Sequence, residues 1–449
     1  MGLTGLEIYK HLPKKNCGKC GPPTCLAFAM SLAAGKASLD SCPDVTDAAK
    51  EALGAASAPP IAAIKFGFGD YVNKLGEETV IFRHEKTFVN PTSVVVEIPD
   101  TLRGAQLDEK MADVNFVFER VGLQYNLNGV AIRNVSGDAE TFAEAARLVT
   151  EKTRHGLVLI SEDVAVMERA LADVSRRVPL LYAATADNYE KMIELGKKHS
   201  CPVVVRGNGL DATAQLVGKV TAQGCKNLVL DTGNRDLSQT LADYTMIRRL
   251  AIKRKFRPLG YPIIAFTTAS DPREEMMEAS VFVAKYASVV VVKTSKREHL
   301  LSLLALRGNI YTDPQKPIQV EPKIYEVGQV TPASPVYVTT NFSLTYFSVE
   351  GEVQASRVPA YILPVETDGT SVLTAWAAGK YTADKIAEFI KSSGIADRVQ
   401  HREVVLPGYV AVLSGKLQEA SGWKVVVGPR EASGIPAFAK GRYTQGVPA

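Results

Sequence analysis

The chain has 449 residues, 46% of them hydrophobic and 22% charged, with a formal net charge of +4. That length exceeds what one hydrophobic core usually serves, so more than one domain is expected. The near-neutral balance offers no basic surface for nucleic acid, and no window approaches the roughly 18 uninterrupted apolar residues of a spanning helix. The N-terminus "MGLTGLEIYKHLPKK" lacks the apolar core of a signal peptide, and Leu6 stands where a myristoylation signal places Ser or Thr. A cytoplasmic protein is therefore expected.

In that reducing compartment clustered cysteines read as metal ligands or redox groups rather than disulfides. Of the 6 cysteines, Cys17, Cys20, Cys25 and Cys42 fall at the start, spaced C-x2-C-x4-C-x16-C. Three cysteines in one tight loop and a distant Cys42-Pro43 suit an iron–sulfur cluster. Zinc is the alternative, but its four-cysteine sites usually pair two C-x2-C knuckles and the second is missing here. Gly18 and Gly21 let the backbone fold closely round such a group, and "LAFAMSLAAGKA" reads as a helix closing the loop. Cys201 and Cys225 each precede a hydrophobic strand and read as small buried apolar residues. The cluster segment is assigned to residues 1–57, and "EALGAASAPPIAAIKFG" opens a linker over 58–92.

From residue 93 short β-branched runs alternate with amphipathic stretches. Strands are expected at 93–98, 130–135, 157–160, 180–183, 203–206, 228–231, 263–267 and 289–293. Segments such as "DAETFAEAARLVTEKT" between them carry the helical period. Eight βα units predict a TIM barrel over 93–318, with an open doubly wound sheet as the competing fold. Arg133, Asn134, Glu162, Thr185, Arg206, Asn208, Asp231, Thr267 and Lys293 end these strands and are expected at one mouth, although any barrel shows polar strand ends to water. No metal triad, nucleophile–base pair or P-loop emerges from them. His84, His155, His199 and His299 stand in separate elements without a ligand partner at short spacing.

"YTDPQKPIQVEPKIYEVG" marks a second boundary. Beyond it strands at 336–339, 360–365, 403–406 and 424–427, with helices at "SVLTAWAAGKYTADKIAEFIKSSG" and "YVAVLSGKLQEASG", predict a small doubly wound, Rossmann-like α/β domain over 326–449. Its ligands are expected at the carboxyl ends of the strands, where Thr339-Thr340-Asn341, Thr367 to Ser371, Pro407-Gly408 and Gly428-Pro429-Arg430 form small hydroxyl and glycine loops.

This order of modules resembles, along the whole chain, the corrinoid iron–sulfur protein large-subunit family, also called the acetyl-CoA decarbonylase/synthase complex gamma subunit. The most specific segments are "NCGKCGPPTCLAFAMSLAAGKASLDSCP", "VTTNFSLTYFSVEGEV", "DGTSVLTAWAAGKYTADKI" and "LPGYVAVLSGKLQEASGWKVVVGPREASGIP". The resemblance implies a [4Fe-4S] cluster on Cys17, Cys20, Cys25 and Cys42. It also implies a cobalamin-type corrinoid held by the loops around Thr340, Tyr346, Gly369, Thr370, Ser371, Val372, Leu373, Thr374, Gly408 and Ser433, with Thr374 near its lower face. For Thr374 the other reading is an early helix position bonding nearby backbone.

The function so implied is a methyl carrier of the reductive acetyl-CoA pathway. It takes a methyl group from methyltetrahydrofolate, through a methyltransferase, onto Co(I) and delivers it to carbon monoxide dehydrogenase/acetyl-CoA synthase. The cluster reduces stray Co(II), a smaller subunit completes a heterodimer over the corrinoid, and no residue of this chain is assigned as catalytic. The C-terminal region lacks a D-x-H-x-x-G loop, and its one histidine, His401, stands in the unrelated context "VQHRE", so a base-off corrinoid without a protein histidine ligand is expected. Residues 52–62 and 312–322 are candidate hinges between partners. Two other classes stay open: a barrel enzyme that binds a pterin in its mouth, and an electron-transfer iron–sulfur protein without corrinoid.

Overall fold

The computed structural model describes residues 4–33, 37, 39–46, 49, 59–120 and 122–443. The chain forms two compact units. The first takes the chain up to Ile81 with Val89–Asn115 and Leu127–Leu303, and the second takes Phe82–Phe88, Phe116–Asn126 and the chain from Leu304 onward. Among the described residues no helix is long and apolar enough to cross a membrane.

In the first unit the strands Ser93–Pro99, Gly129–Arg133, Gly156–Ile160, Leu180–Ala184, Val203–Arg206 and Leu228–Asp231 pair in parallel, each with the next. Ile264–Phe266 and Val289–Val292 continue the sheet back to the first strand. A parallel bridge between Leu230 and Ile263 all but closes the ring, so the barrel forms rather than the open sheet. These runs are apolar on both faces because one face fills the barrel and the other carries helices. Val95, Ala131, Val158, Leu180, Val204, Val229, Ile264 and Val289 meet in the interior.

The stretch 58–92 does more than connect. Ile64–Phe66 and Asn73–Leu75 form an antiparallel hairpin, and Ile64, Phe66 and Leu75 join the interior cluster. Asn73 donates to the carbonyl of Asn128 at 3.2 Å and accepts from the Ser93 hydroxyl at 3.1 Å. Both partners lie at the amino ends of barrel strands, so the hairpin stoppers that end. Gly156 leaves room for it: a Cβ there would stand 2.5 Å from Asn73 Nδ2 and 2.8 Å from the Phe66 ring.

The second unit holds a five-stranded sheet in the spatial order Tyr325–Val327, Ala360–Val365, Val336–Thr340, Glu403–Leu406, Lys424–Val427. Its first strand is antiparallel and the others parallel. Alternate side chains feed two cores. Val336, Val338, Leu363 and Leu406 pack with Tyr381, Ile386 and Leu417 on one face, and Tyr337, Ile362 and Val405 with Tyr346, Val353 and Ile435 on the other. With helices on both faces, the winding reverses between Val336–Thr340 and Glu403–Leu406. A crevice opens at such a reversal, at the carboxyl ends of the strands.

Two expected helices are each broken. Val372–Ala377 and Ala383–Ser392 are separate because Gly379 turns left-handed at φ +68°, the amides of Lys380 and Tyr381 fold back onto the Ala375 carbonyl, and Thr382 caps the second helix. Gly408–Leu413 is a 3₁₀ segment ahead of the helix Ser414–Ser421. The hinge expected over 52–62 lies largely outside the described residues. In the other, the Val320 amide bonds the Asn341 carbonyl at 2.9 Å and the Ser343 amide bonds the Ile318 carbonyl at 3.0 Å.

Candidate functional site

The N-terminal cysteines sit on a chain that turns repeatedly into left-handed backbone, at Lys14, Asn16, Gly18 and Gly21 with φ of +58°, +48°, +68° and +99°. The Gly21 amide closes the first turn onto the Gly18 carbonyl at 3.0 Å. Cys25 then opens the helix Cys25–Ala33, whose first turn is satisfied by the Thr24 hydroxyl bonding the Ala27 amide at 3.1 Å. Cys42 returns in a turn whose amide bonds the Leu39 carbonyl at 3.1 Å.

Cys25 and Cys42 are buried with Ile8, Leu12 and Phe28, while Cys20 is half-buried and Cys17 exposed at the rim. Desolvation raises the pKa of the Cys20 thiol, and Cys42, Cys17 and Cys25 push it the same way, so the four sulfurs share one neighbourhood. Among the described residues no three His, Cys, Asp or Glu side chains converge as ligands of a single ion would. Four cysteines in one neighbourhood, two of them buried, could together hold a metal centre.

In the second unit a cavity of about 400 Å³ occupies the crevice predicted by the strand order. Tyr337 and Thr339 line its floor, Phe342, Leu344 and Ser348 one wall, Pro407, Tyr409 and Glu431 another, and Ser371 to Leu373 its edge. Leu344, Leu373, Trp376, Tyr409, Val412 and Val427, which stand on or beside these segments, are 42–71% exposed. So many large apolar side chains left in water mark a binding surface. The hydroxyls of Tyr337, Thr339 and Thr340 are buried with no hydrogen-bond partner among the described residues. These oxygens are closed off from water even though the cavity is open, so an occupant of the cavity does not reach them as the chain is folded here. An open crevice with so apolar a rim suits a large flat ring system.

The loops round the cavity are fixed from behind. The Gly408 amide bonds the Pro429 carbonyl at 2.9 Å and the Gly428 amide bonds the Leu406 carbonyl at 2.8 Å. The Tyr409 hydroxyl donates to Glu431 across the same two loops, and that bond raises the phenol's pKa. Buried Asn341 is the hub of the third loop. Its Oδ1 accepts from the Thr367 amide and hydroxyl, both at 3.0 Å, and from the Gly369 amide at 3.2 Å, while Nδ2 donates to Glu366 at 3.0 Å.

Of the corrinoid residues expected from sequence, Ser371, Val372 and Leu373 line the cavity. Thr340 lies fully buried at its strand end, and Tyr346 points into the core with its hydroxyl on Glu350 at 2.9 Å. Gly369 and Thr370 sit in the loop that Asn341 holds, Thr370 bonding the Thr367 carbonyl at 2.7 Å. Gly408 and Ser433 adjoin lining residues. Thr374 is exposed, and its hydroxyl meets that of Ser371 at 3.0 Å rather than backbone. Leu344, Ser348, Tyr409 and Glu431 were not expected. A usable signal was present in Leu344 and Tyr409, apolar residues placed soon after strand ends where polar loops are the rule. His401 is held elsewhere: its Nδ1 accepts from the Glu403 amide at 3.2 Å, leaving Nε2 to donate to the Ser334 carbonyl at 2.9 Å, at the opposite end of the strand from the cavity.

The barrel mouth gathers part of its expected set. Arg133, Asn134, Glu162 and Arg206 line a cavity of about 440 Å³ together with Tyr182 and Arg235. Each arginine has a carboxylate: Arg133 grips Glu97 with two bonds of 2.7 Å, Arg206 pairs with Glu162, and Arg235 meets buried Asp231 at 2.8 and 3.1 Å. The Tyr182 hydroxyl also donates to Asp231 at 2.7 Å. Thr267 turns to Glu275 at 2.6 Å and Lys293 to the Thr268 carbonyl at 2.8 Å, while the Thr185 amide bonds Asn188 at 2.7 Å and Asn208 does not line the cavity. The mouth's charges are thus largely spent on one another.

The family model described as "CO dehydrogenase/acetyl-CoA synthase delta subunit" matches residues 63–439, and one described as "Putative Fe-S cluster" matches residues 12–43. The chain is similar to the corrinoid/iron-sulfur protein large subunit of Moorella thermoacetica, 54% identical over 98% of this chain and 99% of that protein. It is also similar to the acetyl-CoA decarbonylase/synthase complex subunit gamma of Methanothermobacter thermautotrophicus, 36% identical over 98% of both chains. Among solved structures, the 7,8-dihydropteroate synthase of Vibrio fischeri ES114 aligns at 13% identity with a TM-score of 0.39, covering 56% of this chain and 100% of that one.

Proposed function

We propose a function on the premise that this chain belongs to the family of the corrinoid/iron–sulfur protein large subunit and the acetyl-CoA decarbonylase/synthase gamma subunit. It is a cytoplasmic methyl carrier of the acetyl-CoA pathway that holds a corrinoid in the second unit and a [4Fe-4S] cluster on Cys17, Cys20, Cys25 and Cys42. The methyl group arrives from methyltetrahydrofolate by way of a methyltransferase and leaves to acetyl-CoA synthase, and a smaller subunit covers the corrinoid face. The corrinoid supplies a cobalt centre able to take up and release methyl, and the cluster supplies the electron that restores it after oxidation.

The rest falls to the chain's own residues. The apolar rim of Leu344, Leu373 and Tyr409 excludes water from a bound ring. Gly369 to Thr374 and Gly408 close the edges, with Asn341 fixing the first of these loops. With His401 committed to backbone, a base-off corrinoid without protein nitrogen beneath it is favoured. The Fe–S match at 12–43 lies ahead of the match at 63–439, which supports a cluster carried by this subunit itself. The observation that carries the reading is the crevice at the winding reversal, with large apolar side chains left exposed round its rim.

Metal analysis with electron paramagnetic resonance on anaerobically purified protein tests it. About four irons and one cobalt per chain are expected, the Co(II) signal showing no axial nitrogen splitting. Iron without cobalt, after expression with corrinoid supplied, would leave only the cluster and sink the carrier reading.

A further inference from the structure

We propose that Asn16 is a positioning residue for the iron–sulfur cluster, fixing Cys25 by two hydrogen bonds and raising the cluster's reduction potential through its backbone amide. This rests on the reading of Cys25 as a cluster ligand. The Asn16 N–H donates to Cys25 Sγ at 3.4 Å, and Asn16 Oδ1 accepts from the Cys25 N–H at 2.8 Å. One residue nine positions upstream therefore grips the ligand cysteine by both its sulfur and its backbone.

The grip depends on left-handed backbone at Asn16, φ +48°, a conformation that asparagine, with glycine, tolerates better than most residues. Oδ1 occupies the first amide of the helix that Cys25 opens, so that amide is already spent. The Asn16 amide takes the opposite role and aims its positive end at a ligand sulfur. Reduction adds negative charge to the cluster and its thiolates, and an N–H aimed at one of them stabilises the reduced form. Cys25 is the buried member of the loop, so this bond is poorly screened by water.

The test uses full-length protein carrying its cluster. With 15N-asparagine incorporated, pulsed electron paramagnetic resonance of the dithionite-reduced cluster should show a 15N coupling. Asn16→Gly, which keeps the turn but carries no label, should lose that coupling while keeping full iron and nearly the parent midpoint. Asn16→Ala disfavours the turn and removes Oδ1. Its reduction equilibrium should fall about tenfold, a midpoint about 59 mV more negative for a one-electron couple.

A parent protein with full iron and no 15N coupling overturns the proposal, whatever happens to the variants. So does Asn16→Ala with full iron and an unchanged midpoint. Failure of the underlying reading looks different: a parent without iron, or Cys25→Ser with an unaltered cluster signal.

Discussion

At position 408 a hydrogen in place of a methyl group decides whether two loops can close round the cavity. A Cβ there would lie 2.6 Å from the Gly428 carbonyl oxygen and 2.8 Å from the Arg430 nitrogen, and both neighbours are backbone that cannot swing aside. Gly408→Ala should cost about 1–3 kcal/mol, the usual range for overpacking, and lower the cobalt retained on purification; an unchanged melting temperature and full cobalt would show the contact to be dispensable. Asn341 acts by hydrogen bonding instead. Asn341→Ala strands the buried donors of Thr367 and Gly369, each worth about 1–3 kcal/mol unpaired, so their amides should exchange with solvent at least about tenfold faster. In the barrel unit, buried His155 lies edge-on to Tyr71, and desolvation, followed by the charge of Arg177, lowers its pKa. The folded chain then binds its proton less readily than the unfolded chain does. The stability this contributes is present above the unfolded value near 6.5 and is lost as pH falls from there through the lower folded value. Melting temperature should drop on acidification below about pH 6.5, and His155→Gln should flatten that slope.

The hairpin Ile64–Leu75 shows what an element can do with almost no sequence signal. Its strands are three residues long, and in each the middle residue, Lys65 or Lys74, is exposed between two buried ones. Three residues are too few to display a period, whereas the barrel strands, with runs such as Val289–Val292 buried throughout, announce themselves. The antiparallel strand Tyr325–Val327 is hidden the same way. The break after Ala377 passed unread because a left-handed turn at Gly379 inside an amphipathic pattern looks like a tolerated helical glycine. Site legibility divides likewise. Cysteine spacing is a local property and points to a cluster by itself, but Leu344, Tyr409 and Glu431 come from three separate segments that only the sheet brings together. The hairpin's role is open to measurement. Phe66 fills the amino end of the barrel and is fully buried, so Phe66→Ala should cost about 3–5 kcal/mol and shift the denaturant midpoint accordingly. A loss below about 1 kcal/mol would mean that the barrel end can collapse over the gap and needs no stopper.

At the scale of the molecule the two units are not consecutive in sequence, since 82–88 and 116–126 belong with the chain after 304. The contacts within that second unit show why. Arg83 donates to the carbonyls of Asn309 and Ile310 at 2.8 Å, Arg307 to the carbonyl of Asn126 at 2.9 Å, and the rings of Phe88 and Tyr311 meet at 5.9 Å. Phe347, on the helix that walls the cavity, lies close over Gly122, where no side chain larger than hydrogen fits. A fragment of residues 319–443 omits all of these partners yet keeps the five strands, both sheet cores and every residue lining the cavity. It should fold cooperatively, because each sheet face retains its helices, but at a lower denaturant midpoint than the same unit in the whole chain, because Phe347 is newly exposed. Binding of a corrinoid to the folded state then adds stability by mass action, about 2.7 kcal/mol at a hundredfold excess over its dissociation constant. A fragment that folds and gains this increment localises the corrinoid to the crevice alone. One that folds cooperatively but stays indifferent to corrinoid removes the crevice as an independent site, since nothing that lines it would be missing.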